Sequence, residues 1–294
     1  MADGEGFDNF FYTAKDGLRL HARVYDCREP AKLPLVCLPG LTRNARDFHE
    51  LALFLSTHPE TQRKVVVFDY RGRGASAYAP DWKTYNIVAE ADDVLAGLDA
   101  LGISKAAFVG TSRGGLIIHI LAAMRPSVLK AVVFNDIGPA IETEGFAHIR
   151  SYLENPKPVA NFAEAEQAQR AVHGADFPAL TDVDWARVAR ALYRDENGRP
   201  IADYDPALVN TVVALDLRQR LPAMWEQFDA LVGIPLLLIR GENTRLLSKE
   251  TVAEMERRHP GMETVTVAGQ GHPPLLETGD LPARIAGFIA RATG

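Results

Sequence analysis

Cysteine is scarce in this chain of 294 residues: only Cys27 and Cys37 occur. So few thiols exclude a disulfide framework and a structural zinc site, and both are expected as buried thiols on neighbouring strands or their flanks. No apolar run approaches membrane-spanning length, and the start, MADGEGFDNFF, lacks the basic and apolar segments of a secretory signal. A cytoplasmic protein with no membrane partner is therefore expected. Basic charge is short as well. Lys and Arg number 32 against 38 Asp and Glu, a formal net charge of -6 that argues against a general nucleic-acid surface. There is no internal repeat, no low-complexity tract, no dinucleotide fingerprint and no His, Cys, Asp or Glu spacing of a metal site, so neither cofactor nor metal is expected.

What the chain does have is a succession of short, β-rich apolar runs: LRLHARVY (18–25), LPLVCL (33–38), KVVVFD (64–69), KAAFVG (105–110), KAVVFN (130–135), PLLLIR (235–240) and ETVTVAG (263–269). From residue 33 onward most are separated by helical patterns, which predicts an α/β fold with a mainly parallel sheet covered on both faces. Ile87, Ala91, Val94, Leu95 and Leu98 form one such helical stripe, closed at Leu101-Gly102. The alternation breaks once, between NDIGP (135–139) and GIPLLLIR (233–240), where no strand is evident and several helices are expected as an inserted lid. Its aromatics are expected mainly to pack the lid, with a minority facing a cleft.

GTSRG (110–114) carries the chemistry. It matches G-x-S-x-G between a predicted strand and a predicted helix, the context in which a serine on a tight turn projects its hydroxyl into a cleft. Gly110 and Gly114 leave room for that turn, and the opening helix aims N–H groups at a developing anion. A phosphate-cradling loop is excluded because Leu116, not Lys, follows Gly115.

With this elbow in place, the chain resembles the α/β-hydrolases of the lidded serine esterase type over nearly its whole length. LPGLTRNARDF (38–48), DYRGRGAS (69–76), NDIGP and GQGHPPLLE (269–277) fall in the order that family uses. The resemblance implies a core of residues 1–139 and 233–294 with a lid at 140–232. It implies Ser112 as nucleophile, His272 as base, and an oxyanion hole from the N–H groups of Leu41 and Arg113. Where many relatives have His-Gly, this chain has Pro39-Gly40. The acid is the open position: RGENTRLLS (240–248) offers Thr244 and Arg245 where relatives commonly carry aspartate. Asp136 is the first choice, with a structural carboxylate capping the loop into the lid as its alternative, and Glu242 the second, with a solvated surface charge or a partner for Arg245 as its alternative. In DYRGRGAS, ion pairs among Asp69, Arg71 and Arg73 are expected to tie the loop. His119 is expected to point away from the cleft, as a satisfied core or surface histidine.

The expected activity is cleavage of a small to medium apolar carboxylic ester through an acyl-enzyme, with a small molecule as partner. Carbon–carbon bond cleavage or lactone opening on the same trio, and a non-catalytic ligand-binding protein on the same fold, stay open.

Overall fold

Strands buried on both faces need apolar residues at every position, and the central runs supply them. In the computed structural model, which describes residues 6–27 and 32–293, eight strands form one sheet. Residues 1–5, 28–31 and 294, included in the expected core and in the N-terminal stretch read above, lie outside the described residues. The strand order is β1 (Asp8–Thr13), β2 (Arg19–Tyr25), β4 (Val65–Asp69), β3 (Leu35–Leu38), β5 (Ala106–Thr111), β6 (Leu129–Asn135), β9 (Leu236–Gly241) and β10 (Glu263–Val267). β2 pairs antiparallel with β1 and β4, and all other neighbours are parallel.

Strand residues alternate between two cores, as a period of two requires. Val36, Val66, Phe68, Phe108 and Phe134 pack with α2 (Ile87–Ala100), α3 (Arg113–Met124), α8 (Trp225–Asp229) and α9 (Lys249–Arg258). Leu35, Cys37, Val67, Val109 and Val133 pack with α1 (His49–Thr57) and α10 (Leu281–Thr293). Each fully buried side chain of this size contributes about 1.5–3 kcal/mol relative to exposure. α2 starts where its sequence says it should: the Asn86 side chain accepts the N–H groups of Val88 and Ala89 at 3.1 and 2.9 Å.

Between β6 and β9 run α4 (Thr143–Glu154), α5 (Phe162–His173), α6 (Asp182–Leu192) and α7 (Val209–Val213), with a hairpin of β7 (Tyr193–Glu196) and β8 (Arg199–Ala202). The hairpin corrects the expectation of helices alone. Its signal was Asn197-Gly198, whose φ values of 54 and 84 suit a two-residue hairpin turn. β1 is a third strand that the sequence reading passed over. α8, inside the stretch expected as lid, packs on the core, where Phe228 is fully buried beside His119. Cys37 is buried as expected, whereas Cys27, at the end of β2, is partly exposed. Among the described residues no helix is long and apolar enough to cross a membrane.

Candidate active site

Register brings the first two site residues together. Thr111 at the end of β5 lies opposite Asn135 at the end of β6, and Asn135 lies opposite Ile239 of β9. Ser112 and Asp136 are therefore the first residues past adjacent parallel strands, at the carboxyl end of the sheet where α/β folds place their sites. Both turn sharply, with φ of 50 and 54. A non-glycine residue in that region costs about 1–3 kcal/mol and needs surroundings that hold it.

The surroundings are visible. A Cβ on Gly114 would lie 2.0 Å from the Leu38 carbonyl oxygen, and one on Gly110 would lie 2.6 Å from the Gly115 nitrogen. Only glycine lets α3 close against β3 and β5 at this turn. Ser112 occupies the N-cap position of α3 yet makes no capping bond. Its Oγ instead donates to His272 Nε2 at 2.9 Å. His272 Nδ1 donates to Asp136 Oδ2 at 2.7 Å, which fixes the tautomer because a carboxylate only accepts. Asp136 is fully buried; its Oδ1 accepts the Gly241 N–H at 2.9 Å and its own N–H donates to the Ile239 carbonyl at 2.7 Å.

The three residues Ser112, His272 and Asp136 thus form one hydrogen-bonded relay. Glu242 does not join it. Its exposed carboxylate accepts the Gly269 N–H at 2.8 Å, bracing the turn before the histidine loop, and Arg245 pairs with Asp176 instead. Asn135, which sequence reasoning missed, holds the same loop from below: its Nδ2 donates to the Pro274 carbonyl at 3.0 Å and to Thr111 Oγ1 at 3.1 Å. Gln270, also missed, closes the loop on itself by accepting the Leu275 N–H and donating to Thr278 Oγ1, both at 2.9 Å.

Leu41 and Arg113 both border the cleft at Ser112. The Arg113 N–H lies in the first turn of α3, where an amide has no acceptor within its own helix. Pro39-Gly40-Leu41 is pinned at both ends: Tyr70 donates to the Pro39 carbonyl at 3.2 Å and Arg73 Nε to the Leu41 carbonyl at 2.9 Å. This corrects the reading of DYRGRGAS. Arg73 pairs with Glu90, Arg71 is bidentate to Asp93 and also meets Asp16, and Asp69 accepts from His21 and from the Ala45 and Ala75 amides. The two arginines reach carboxylates of α2, and Asp69 turns to His21 of β2, rather than to one another.

A cavity of about 1510 Å³ opens over Ser112. Its far wall comes from the segment between β6 and β9, and here the aromatic expectation is reversed: Phe146, Tyr152, Phe177, Trp185 and Tyr193 all face it. A few charged groups share the wall. Arg43 pairs with Asp47, and burial pushes the Glu277 carboxyl up to about 7. His119, on the buried face of α3, is fully buried, and its Nδ1 donates to the Gly115 carbonyl at 2.7 Å.

Comparison with known proteins agrees with this architecture. The family model described as alpha/beta hydrolase fold matches residues 34–278. The 3-hydroxybutyrate-oligomer hydrolase of Cupriavidus necator is 32% identical, with 91% of each chain covered. The 2-(acetamidomethylene)succinate hydrolase of Mesorhizobium japonicum is 29% identical over 92% of each. Among solved structures, an alpha/beta hydrolase from Novosphingobium aromaticivorans superposes with a TM-score of 0.87 at 36% identity, covering 97% of this chain and 99% of that one. A parallel sheet with these crossovers, matched by that family over most of the sequence, makes the chain a member of the alpha/beta hydrolase fold family.

Proposed function

We propose that the protein is a serine hydrolase that cleaves a small to medium carboxylic ester with an apolar portion through an acyl-enzyme. The observation that carries this reading is the relay from Ser112 Oγ through His272 to buried Asp136, at 2.9 and 2.7 Å. A serine hydroxyl is a weak nucleophile at neutral pH, and a base within hydrogen-bond reach is what activates it.

Ser112 attacks the ester carbonyl while His272 Nε2 takes its proton. Asp136 stays ionised and stabilises the imidazolium. The N–H groups of Leu41 and Arg113 receive the oxyanion, each such donor typically contributing about 3–4 kcal/mol. His272 then returns the proton to the departing alcohol, and a water activated by the same nitrogen releases the acid. The segment from α4 to α7 acts as a lid whose aromatic wall keeps bulk water from the oxyanion. An oligomeric hydroxy-acid ester falls within this class, and it is the substrate named for the Cupriavidus relative.

The test is a substrate panel followed by chromatography of the released acid: nitrophenyl esters, 3-hydroxybutyrate dimer and trimer, simple lactones and vinylogous diketones. The reading expects ester turnover by the wild type and none by Ser112→Ala. Turnover of lactone or diketone alone would move the reaction class, and binding without turnover of any compound would replace the enzyme with a ligand-binding protein.

A further inference from the structure

Behind the cleft lies a charged cluster that the relay does not use. Glu90, on the first turns of α2, is fully buried, as is Arg73; the Arg113 side chain is 13% exposed. Glu90 Oε1 accepts from Arg73 Nη1 at 2.8 Å, and its Oε2 accepts from Arg113 Nε at 2.6 Å. Arg73 Nη1 also donates to the Arg71 carbonyl at 2.6 Å and Arg73 Nη2 is buried without a partner among the described residues, while one further donor of each guanidinium reaches main chain. Arg73 Nε donates to the Leu41 carbonyl at 2.9 Å, and Arg113 Nη2 to the Tyr85 carbonyl at 3.0 Å. A single carboxylate therefore joins the two residues proposed for the oxyanion hole, Leu41 through Arg73 and Arg113 through its own side chain.

We propose that Glu90 is the positioning residue of the oxyanion hole, holding the Leu41 loop and the first turn of α3 at one fixed separation. The proposal rests on the serine hydrolase reading and adds to it a residue remote from the reacting atoms. Two donors serve one oxyanion only if the distance between them is set before the charge develops, because reorganisation during the reaction would cost what the donors supply. Loops alone do not set it. Leu41 follows β3 and Arg113 follows β5; Tyr70 holds the Leu41 loop through the Pro39 carbonyl and Gly114 seats α3 on the Leu38 carbonyl, but neither contact joins Leu41 to Arg113. Glu90 spans that gap from a third element. One buried anion between two cations also leaves one net positive charge behind the hole, which favours the oxyanion over the neutral ester. Burial pushes the Glu90 carboxyl up, but Arg113 and Arg73 more than offset this and hold it below the ordinary carboxylate value.

The experiment compares wild type, Glu90→Gln, Arg113→Gln and Ser112→Ala on one ester. It also measures the affinity of a trifluoromethyl ketone, which adds reversibly to the serine as a tetrahedral oxyanion, and of the product acid, which does not. The expectation is a kcat lower by about 10–100-fold in Glu90→Gln, a fraction of the loss typical of removing a donor outright. KM and product affinity stay within about threefold, and ketone affinity falls in parallel with kcat/KM. A packing role alone would not separate ketone from product. If Glu90→Gln does not fold, Arg113→Gln breaks half the bridge at its partly exposed end and is expected to show the same separation. Wild-type kcat in either folded variant, or equal losses for ketone and product, overturns the positioning role. An active Ser112→Ala instead overturns the hydrolase reading itself.

Discussion

At the scale of the residue, the Asp136 carboxylate accepts from two donors at once, the His272 ring at Oδ2 and the Gly241 amide at Oδ1. An asparagine there must present its NH₂ to one of these N–H groups, so the ring loses its tautomer or β9 loses an anchor. Asp136→Asn is expected to lower kcat by about 10³–10⁴-fold. Glu242→Gln leaves an oxygen for the Gly269 N–H and is expected to stay within about threefold; steady-state kinetics on one ester distinguishes the two. Comparable small losses in both would remove Asp136 from the relay. Ser112 was legible because steric crowding at its turn leaves a glycine signature on both sides. Asp136 was legible only as one of two acids, since the position after β9 that relatives use holds Thr244 and Arg245. Asn135 left no trace, because its partner carbonyl on Pro274 lies 139 residues away in sequence.

At the scale of the element, α3 must seat the nucleophile while burying a histidine. His119 stacks on Phe134 at 4.8 Å between ring centroids, and burial lowers its pKa from 6.5 to about 4. With the folded pKa below the unfolded one, protonation favours the unfolded chain. Stability is full above pH 6.5 and falls as the pH drops toward 4. His119→Leu removes that loss, so its stability relative to wild type is expected to rise by about 3 kcal/mol across this window, as read by urea unfolding at pH 7.5, 5.5 and 4. A constant difference at all three would show that His119 is not held neutral by burial. Elements were legible where their own periodicity betrays them, as in α2 and the central strands. Other features depend on partners brought together by the fold. Glu90 and Asp93 interrupt the apolar pattern of α2 as surface charges would, yet Arg73 and Arg71 make them interior. β1 is an edge strand that only its antiparallel pairing with β2 defines.

At the scale of the whole molecule, the sheet and the inserted segment enclose the cavity together, and neither does so alone. A space of about 1510 Å³ walled by aromatics accepts more than an acetyl group. Each buried methylene contributes about 0.8 kcal/mol, so kcat/KM on nitrophenyl esters is expected to climb by up to about fourfold per carbon from acetyl to hexanoyl. A flat or falling series would mean that the aromatic wall does not contact the acyl chain. The fold class was legible from alternation along the chain, whereas the cavity was not, since its wall depends on how helices pack.

The activation of Ser112 stands at the centre of these expectations, and intact mass after exposure to a fluorophosphonate measures it. Wild type should gain one adduct within minutes, Asp136→Asn should gain it far more slowly, and Ser112→Ala should gain none. Wild type that stays unlabelled while folded and accessible, or Ser112→Ala that labels as fast as wild type, would contradict the relay.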